Sequence, residues 1–367
     1  MKDIMGIICT NYNDDDLNQL TEDRALASLP FGGRYRLVDF PLSNMKNSDI
    51  RTVGIIMPYM YRSLMDHLGG GKEWNQYRKV GGFFFLPGSI YGLKTARSKF
   101  LLRDFISNRP FVTRGSGDLI VISGSNKIFN IDYRSIAREH EASGADVTLI
   151  YKRSYIPADS GELFLDINDF GRVSNIMHEP DGDAYCFLDT LIINREMLLN
   201  YLNWYEALTY LDLMDTIAET LSTVKVFAYE FDGYAGSINS LKTYMNCSID
   251  LLDENVRDEL FIPERQISTK AQDSAPAKYL PHAHVRNSII SSGCIIDGDV
   301  EDCIIFRDVI IERGASIKNS VIMAHTVIGE NVCLENVISD KYVHIQPGVK
   351  LFGSCDNPIT IEKRSNI

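Results

Sequence analysis

In the last part of the chain apolar residues return every six positions: Val309, Ala315 and Val321; Ile311 and Ile317; Ile322, Ile328 and Leu334; Val337, Val343 and Val349. A half-buried strand repeats every two residues and a helix about every 3.6, so neither explains a period of six. A hexapeptide β-helix does, because each repeat forms one short flat side of a triangular coil and turns its apolar side chain inward. Two registers keep the period, whereas the alternation of a β-sandwich would drift. A left-handed parallel β-helix is therefore expected over residues 282–367. Its flat flanks and open ends should bury against sister subunits or the rest of the chain.

A chain of 367 residues exceeds one comfortable hydrophobic core, so a second domain is expected upstream. There, short β-branched runs alternate with helical patterns. Strands are expected at Ile4–Cys9, Thr52–Met57, Leu119–Ser123, Val147–Tyr151 and Val224–Tyr229, and helices at Tyr61–Leu68, Thr95–Ile106, Tyr133–Ser143, Asp212–Ser222 and Ser240–Leu252. This order implies an α/β domain over residues 1–266 with a doubly wound, mainly parallel sheet. The polar, proline-containing stretch over residues 267–281 reads as a linker.

A formal charge of −12 and a pI near 5.1 argue against a nucleic-acid surface, which needs a basic stripe to displace counterions. Seven cysteines without a C-x-x-C spacing read as reduced thiols. The chain reaches polar residues after about eight positions, too few for a signal peptide, and offers no run of about 20 apolar residues for a membrane span. A soluble, cytoplasmic protein without membrane contact is the expectation. His282, His284, His325 and His344 lack metal-ligand spacing, and His67 and Trp74 read as packing residues.

The block Leu29–Asn44, LPFGGRYRLVDFPLSN, together with NSDIRTVGI and HLGGGKEW, resembles the glucose-1-phosphate adenylyltransferase family, and the resemblance extends through the coil. It implies a nucleotidyltransferase-like, Rossmann-like domain. It also implies an activity joining glucose 1-phosphate to ATP with release of pyrophosphate, for glycogen or starch. That chemistry attacks the α-phosphorus of ATP and needs backbone N–H groups, cationic side chains and Mg²⁺ held by carboxylates.

Measured against the family pattern, this chain departs at each such group. The phosphate loop G-G-x-G-x-R-L matches Asn11-Tyr12-Asn13-Asp14-Asp15-Asp16-Leu17, so its glycines are gone and Asp16 stands where Arg is expected. Three adjacent carboxylates repel a triphosphate and read more simply as a solvated turn. R-A-K-P becomes Arg24-Ala25-Leu26-Ala27, which places Leu26 at a phosphate-facing lysine position. The metal carboxylate of G-D-H becomes Ser125, and that of W-x-D-V-G-T becomes Ser237, with Asp232 upstream as a compensating group only if the loop shifts. The sugar-phosphate lysine of F-x-E-K-P becomes Glu179, the helix start G-T-A-x-A becomes Lys94-Thr95-Ala96-Arg97-Ser98, and an adenine-contacting Gln becomes Pro58. Arg34, Arg36 and Arg51 are retained, and guanidinium forks suit phosphate. By resemblance, the region of Arg34 senses phosphorylated effectors.

The expectation is a degenerate, non-catalytic companion subunit without cofactor, assembling with a catalytic paralogue as a heterotetramer and taking a phosphorylated sugar as effector. The alternative is an active adenylyltransferase with a divergent site, which would need Mg²⁺. A hexapeptide acyltransferase is a third reading, disfavoured by the N-terminal resemblance.

Overall fold

The computed structural model describes residues 3–11, 15–74, 81–89, 98–153, 161–179, 185–208 and 210–367. Strands Ile4–Cys9, Thr52–Met57 and Leu119–Ser123 form where their β-branched runs predict them. Ile4–Cys9 lies between the other two, parallel to both, and Gly82–Pro87 extends the parallel block at the edge. Side chains alternate across this block: Ile120 and Ile122 enter one core with Met5, Ile7 and Cys9, while Leu119 and Val121 enter the opposite core with Ile8. Two buried faces explain why these strands read as continuous apolar runs.

The nine-stranded sheet is mixed. The long strand Tyr185–Asn194 runs antiparallel to Leu119–Ser123 on one edge and to Val147–Arg153 on the other, and Val226–Glu230 adds in parallel beyond. From the central strand Ile4–Cys9 the sheet extends in both directions, to Thr52–Met57 on one side and Leu119–Ser123 on the other. The crevice past their carboxyl ends is the usual ligand position in such a sheet.

The helix expected over Thr95–Ile106 is not formed as such. Residues 90–97 lie outside the described set, and helices occur at Leu102–Ser107 and Arg109–Arg114. The reason is a competing pairing, in which Phe100 N–H donates to Asp212 at 2.7 Å and Leu102 N–H to the Leu211 carbonyl at 3.0 Å. These bonds hold the segment extended.

The C-terminal coil is built of three parallel five-stranded sheets. Successive strands meet in register at Ser316, Cys333 and Lys350, a pitch of 17 residues. From Asp302 to Gly348 the corners are turned by residues of positive φ, with Asp302, Asn319 and Asn336 at one, Asp308, His325 and Tyr342 at a second, and Gly314, Asn331 and Gly348 at the third. Asn, Asp and Gly tolerate the left-handed region best. The interior holds Val309, Ile311, Ala315, Ile317, Ile322, Ile328, Leu334, Val337 and Val343 of the six-residue repeat, whereas Val321, expected inward with them, faces out of the coil into the core shared with the first domain.

The strand Lys278–Tyr279 already pairs with Ile295–Ile296, so the coil begins inside the stretch expected as linker. That stretch is pinned rather than loose: Lys46 Nζ donates to Ser268 Oγ at 2.7 Å and Lys270 Nζ to the Asp66 carbonyl at 2.6 Å. A third core joins the domains. Leu26, Leu29, Phe31, Leu37 and Phe40 pack in it with Ile304, Phe306, Val321, Met323 and Ile338, so the block Leu29–Asn44 builds the interdomain seam.

Candidate functional site

At the crevice, the strand Ile4–Cys9 runs into Thr10 and Asn11, whose side chains turn inward. Thr10 Oγ1 donates to the Ile56 carbonyl at 2.6 Å, and Asn11 Nδ2 donates to Asp104 Oδ2 at 2.8 Å and the Ser89 carbonyl at 3.0 Å. Tyr12, Asn13 and Asp14 lie outside the described residues, as does the Asp15 side chain. The 3-10 helix Asp15–Thr21 follows, anchored by buried Leu17 and Leu20 with Asp16 exposed. Leu26 is buried in the interdomain core. Arg24 likewise turns to the seam and pairs with Asp340 of the coil.

Ser125 and Ser237 are both fully buried. Around Ser237 the crevice is filled by ionic side chains drawn from four separate segments, and none of them stands out in the sequence. Lys127 Nζ pairs with Glu162 Oε2, lies 3.5 Å from Asp189 Oδ2 and donates to Ser237 Oγ at 3.0 Å. Lys99 Nζ reaches Asp189 Oδ2 at 2.6 Å and Glu162 Oε2 at 3.8 Å. Ser237 Oγ donates to Glu162 Oε1 at 2.5 Å, and Asn239 Nδ2 donates to the same oxygen. Burial favours the neutral Glu162 carboxyl, but the ammonium charges and hydrogen bonds outweigh it and hold the group down at about 2. Lys127 directly follows Gly124-Ser125-Asn126 in the chain. That adjacency is the one local signal that could have pointed to the cluster.

These residues do not fit the Mg²⁺ that the family resemblance implies. Both expected metal carboxylates are hydroxyls, and an ammonium group lies within hydrogen-bond distance of one of them. Glu179 is exposed and outside the cluster, Asp232 is exposed, and Lys94–Arg97 lie outside the described residues.

A second site lies on the seam. The hairpin Pro30–Phe31/Tyr35–Arg36 and the coil enclose a cavity of about 440 Å³ whose charged lining residues are Arg34, Arg36, Lys270, Arg307 and Lys341, with no carboxylate among the described ones. The hydroxyl of Thr269, also in its lining, is buried without a hydrogen-bond partner among the described residues. Arg36 is oriented by the Ser63 carbonyl at 2.6 Å and Ser63 Oγ at 2.9 Å, and burial lowers its guanidinium to about 10. Burial, then the neighbouring Arg36, Arg24 and Arg307 charges, push the Lys341 ammonium down to about 7. Asp39, Asp66 and Asp340 lie close by but outside the lining, so the cavity wall itself presents the positive charge that an oxyanion neutralises.

Of the three retained arginines, Arg36 lines this cavity with its guanidinium held on Ser63, and Arg34, also in the lining, is exposed, its guanidinium 5.4 Å from the Tyr35 ring centroid. Arg51 is exposed at the start of its strand and does not line the cavity. His67 is also in the lining, held at 2.6 Å by Asp39 Oδ1 and edge-on to buried Trp74. Three of the coil histidines lie against aspartates, His282 with Asp297, His284 with Asp299 and His325 with Asp308. Among the described residues no group of three or more His, Cys, Asp or Glu suits a metal ion, and no helix is long and apolar enough to cross a membrane. The seven cysteines are free.

A mixed α/β sheet with a crevice at its strand ends, joined to a hexapeptide coil, defines the nucleotidyltransferase class with a β-helical second domain. The family model for nucleotidyl transferases matches residues 15–244, and that for a GlmU-like C-terminal hexapeptide region matches residues 275–354. The chain is 34% identical over 361 residues to the glycogen biosynthesis protein GlgD of Bacillus subtilis (strain 168), covering 98% of this chain and 96% of that one. It is 34% identical to GlgD of Geobacillus stearothermophilus, covering 86% and 82% of the two chains. It is 29% identical to glucose-1-phosphate adenylyltransferase of Fervidobacterium nodosum, covering 96% and 86%. The chain thus belongs to the nucleotidyl transferase family and, within it, to the group formed by GlgD and the glucose-1-phosphate adenylyltransferases.

Proposed function

We propose that the chain is a non-catalytic companion subunit in glycogen biosynthesis, which assembles with a catalytic glucose-1-phosphate adenylyltransferase as a heterotetramer and tunes its response to a phosphorylated sugar. The single observation that carries this reading is the contrast between the two sites. The crevice has balanced its own charge internally, while the seam cavity keeps five cationic side chains and no carboxylate among its described lining residues. The GlgD and adenylyltransferase relatives support the pathway.

The test is an assay of ADP-glucose formation by the purified chain, by its catalytic paralogue, and by the mixture. The chain alone is expected to give no turnover, and the mixture a changed catalytic efficiency or effector response in the paralogue. Coupling of that kind requires contacts that differ between the partner's states. Turnover by the isolated chain near the ordinary 1 s⁻¹ scale would establish the active alternative instead. Separate sedimentation with unchanged kinetics would remove the companion role.

For the cavity, Arg36→Ala is expected to weaken sugar-phosphate binding by roughly tenfold or more, the worth of one or two charge-assisted hydrogen bonds. Arg34→Ala should matter less, since that side chain is exposed. Because burial and the neighbouring arginines push the Lys341 ammonium down to about 7, an anion that needs its ammonium form should bind more weakly as pH rises from 6 towards 8. Calorimetry across that range on wild type and Lys341→Met checks this, and a pH-dependence unchanged in Lys341→Met would refute the assignment.

A further inference from the structure

Glu162, Asp189 and Ser237 bring hard oxygen groups to one place in the crevice, a donor chemistry that suits a small divalent ion. What stands among them is the ammonium of Lys127, paired with Glu162, 3.5 Å from Asp189 and 3.0 Å from Ser237. Lys99 approaches the same carboxylates at 2.6 and 3.8 Å. Two carboxylates against two ammonium groups leave the cluster electrically neutral. Aspartates at positions 125 and 237 would have added two negative charges with nothing to balance them. Carboxylates exposed by only 1% and 3% cannot stay ionised without such partners, so the lysines are obligatory parts of the crevice.

We propose that Lys127, seconded by Lys99, is a tethered cation standing in the crevice's metal position. It draws Glu162 and Asp189 together as a divalent ion would. The shape of the crevice is thereby made independent of Mg²⁺ and of bound nucleotide. This goes beyond inactivity: a crevice that had merely lost its ligands would be open and loosely held, whereas this one carries a permanent internal occupant.

The experiment is thermal unfolding of the full chain in EDTA and in millimolar Mn²⁺, for wild type, Lys127→Ala and Lys127→Ala/Glu162→Gln. Alanine leaves room for an ion. Wild type is expected not to respond to Mn²⁺. Lys127→Ala should melt lower in EDTA and regain about 5 °C or more in Mn²⁺, because the ion binds only the folded form, and the double variant should gain nothing. The proposal is overturned if wild type responds as the single variant should. It is equally overturned if Lys127→Ala gains nothing from Mn²⁺, including the case in which it cannot be recovered folded with the metal present, or if the double variant responds as strongly. These readouts involve no turnover, so failure here is distinct from failure of the companion-subunit reading, which shows in the ADP-glucose assay.

Discussion

Arg24→Ala should lower the stability of the chain by about 3–5 kcal/mol, the usual cost of stripping one partner from a buried ion pair. The Arg24 and Asp340 side chains are exposed by only 5% and 1%, and the pair joins positions 316 residues apart across the interdomain seam. With the guanidinium gone, Asp340 retains the backbone N–H of Lys341 at 2.6 Å but loses its paired charge. Most of the penalty comes from that stranded carboxylate, so Arg24→Ala/Asp340→Asn should recover part of the loss. Urea unfolding of the three proteins measures it. An unchanged midpoint in the single variant would mean that the apolar seam alone holds the domains together.

Acid should unfold the chain largely through Glu162. A carboxyl held at about 2 against an ordinary 4.5 contributes stability that is complete above pH 4.5 and lost as pH falls towards 2. Glu162→Gln should be less stable than wild type at neutral pH, yet lose less between pH 4.5 and 3. Asp212 works in the opposite direction. Burial raises its carboxyl to about 6 even though the Met214 and Phe100 N–H groups favour the charged form. Its contribution is therefore present at low pH and lost as pH rises through 6. Denaturant midpoints taken from pH 3 to pH 8 separate the two, and parallel profiles for wild type and Glu162→Gln would show that Glu162 is not the acid-sensitive group.

Periodicity made the regular parts of the fold legible. Strands buried on both faces, such as Ile4–Cys9 and Leu119–Ser123, announce themselves as apolar runs, and the coil interior shows directly as a six-residue repeat. Tyr185–Asn194 was hidden because Asp189 and Thr190 interrupt its apolar run, and Asp189 takes a positive φ of 49° at a bulge. The first turn of the coil was read as linker because Lys278 and Tyr279 are polar or exposed and carry no apolar repeat.

The site divides in the same way. Losses such as Asp16, Ser125 and Ser237 could be read because they sit at fixed places beside recognisable blocks. What fills the crevice could not. Lys99, Lys127, Glu162 and Asp189 come from segments that meet only when the sheet closes, and no spacing along the chain connects them. Arg36 and Arg51 looked alike as retained arginines, but only Arg36 belongs to the seam hairpin that the coil covers.

The coil presents the seam cavity with a charge pattern of fixed pitch. Arg307, Ala324 and Lys341 line the cavity and follow one another every 17 residues, each just before a left-handed corner. Parallel strands of a coil are stacked at about 4.8 Å, so these positions are rungs, with cations on the first and third and a methyl group between them. The rungs cannot slide, because each strand is hydrogen-bonded to the next. The spacing offered to an anion can therefore change only in whole steps, by recolouring a rung or by inserting or deleting a complete turn.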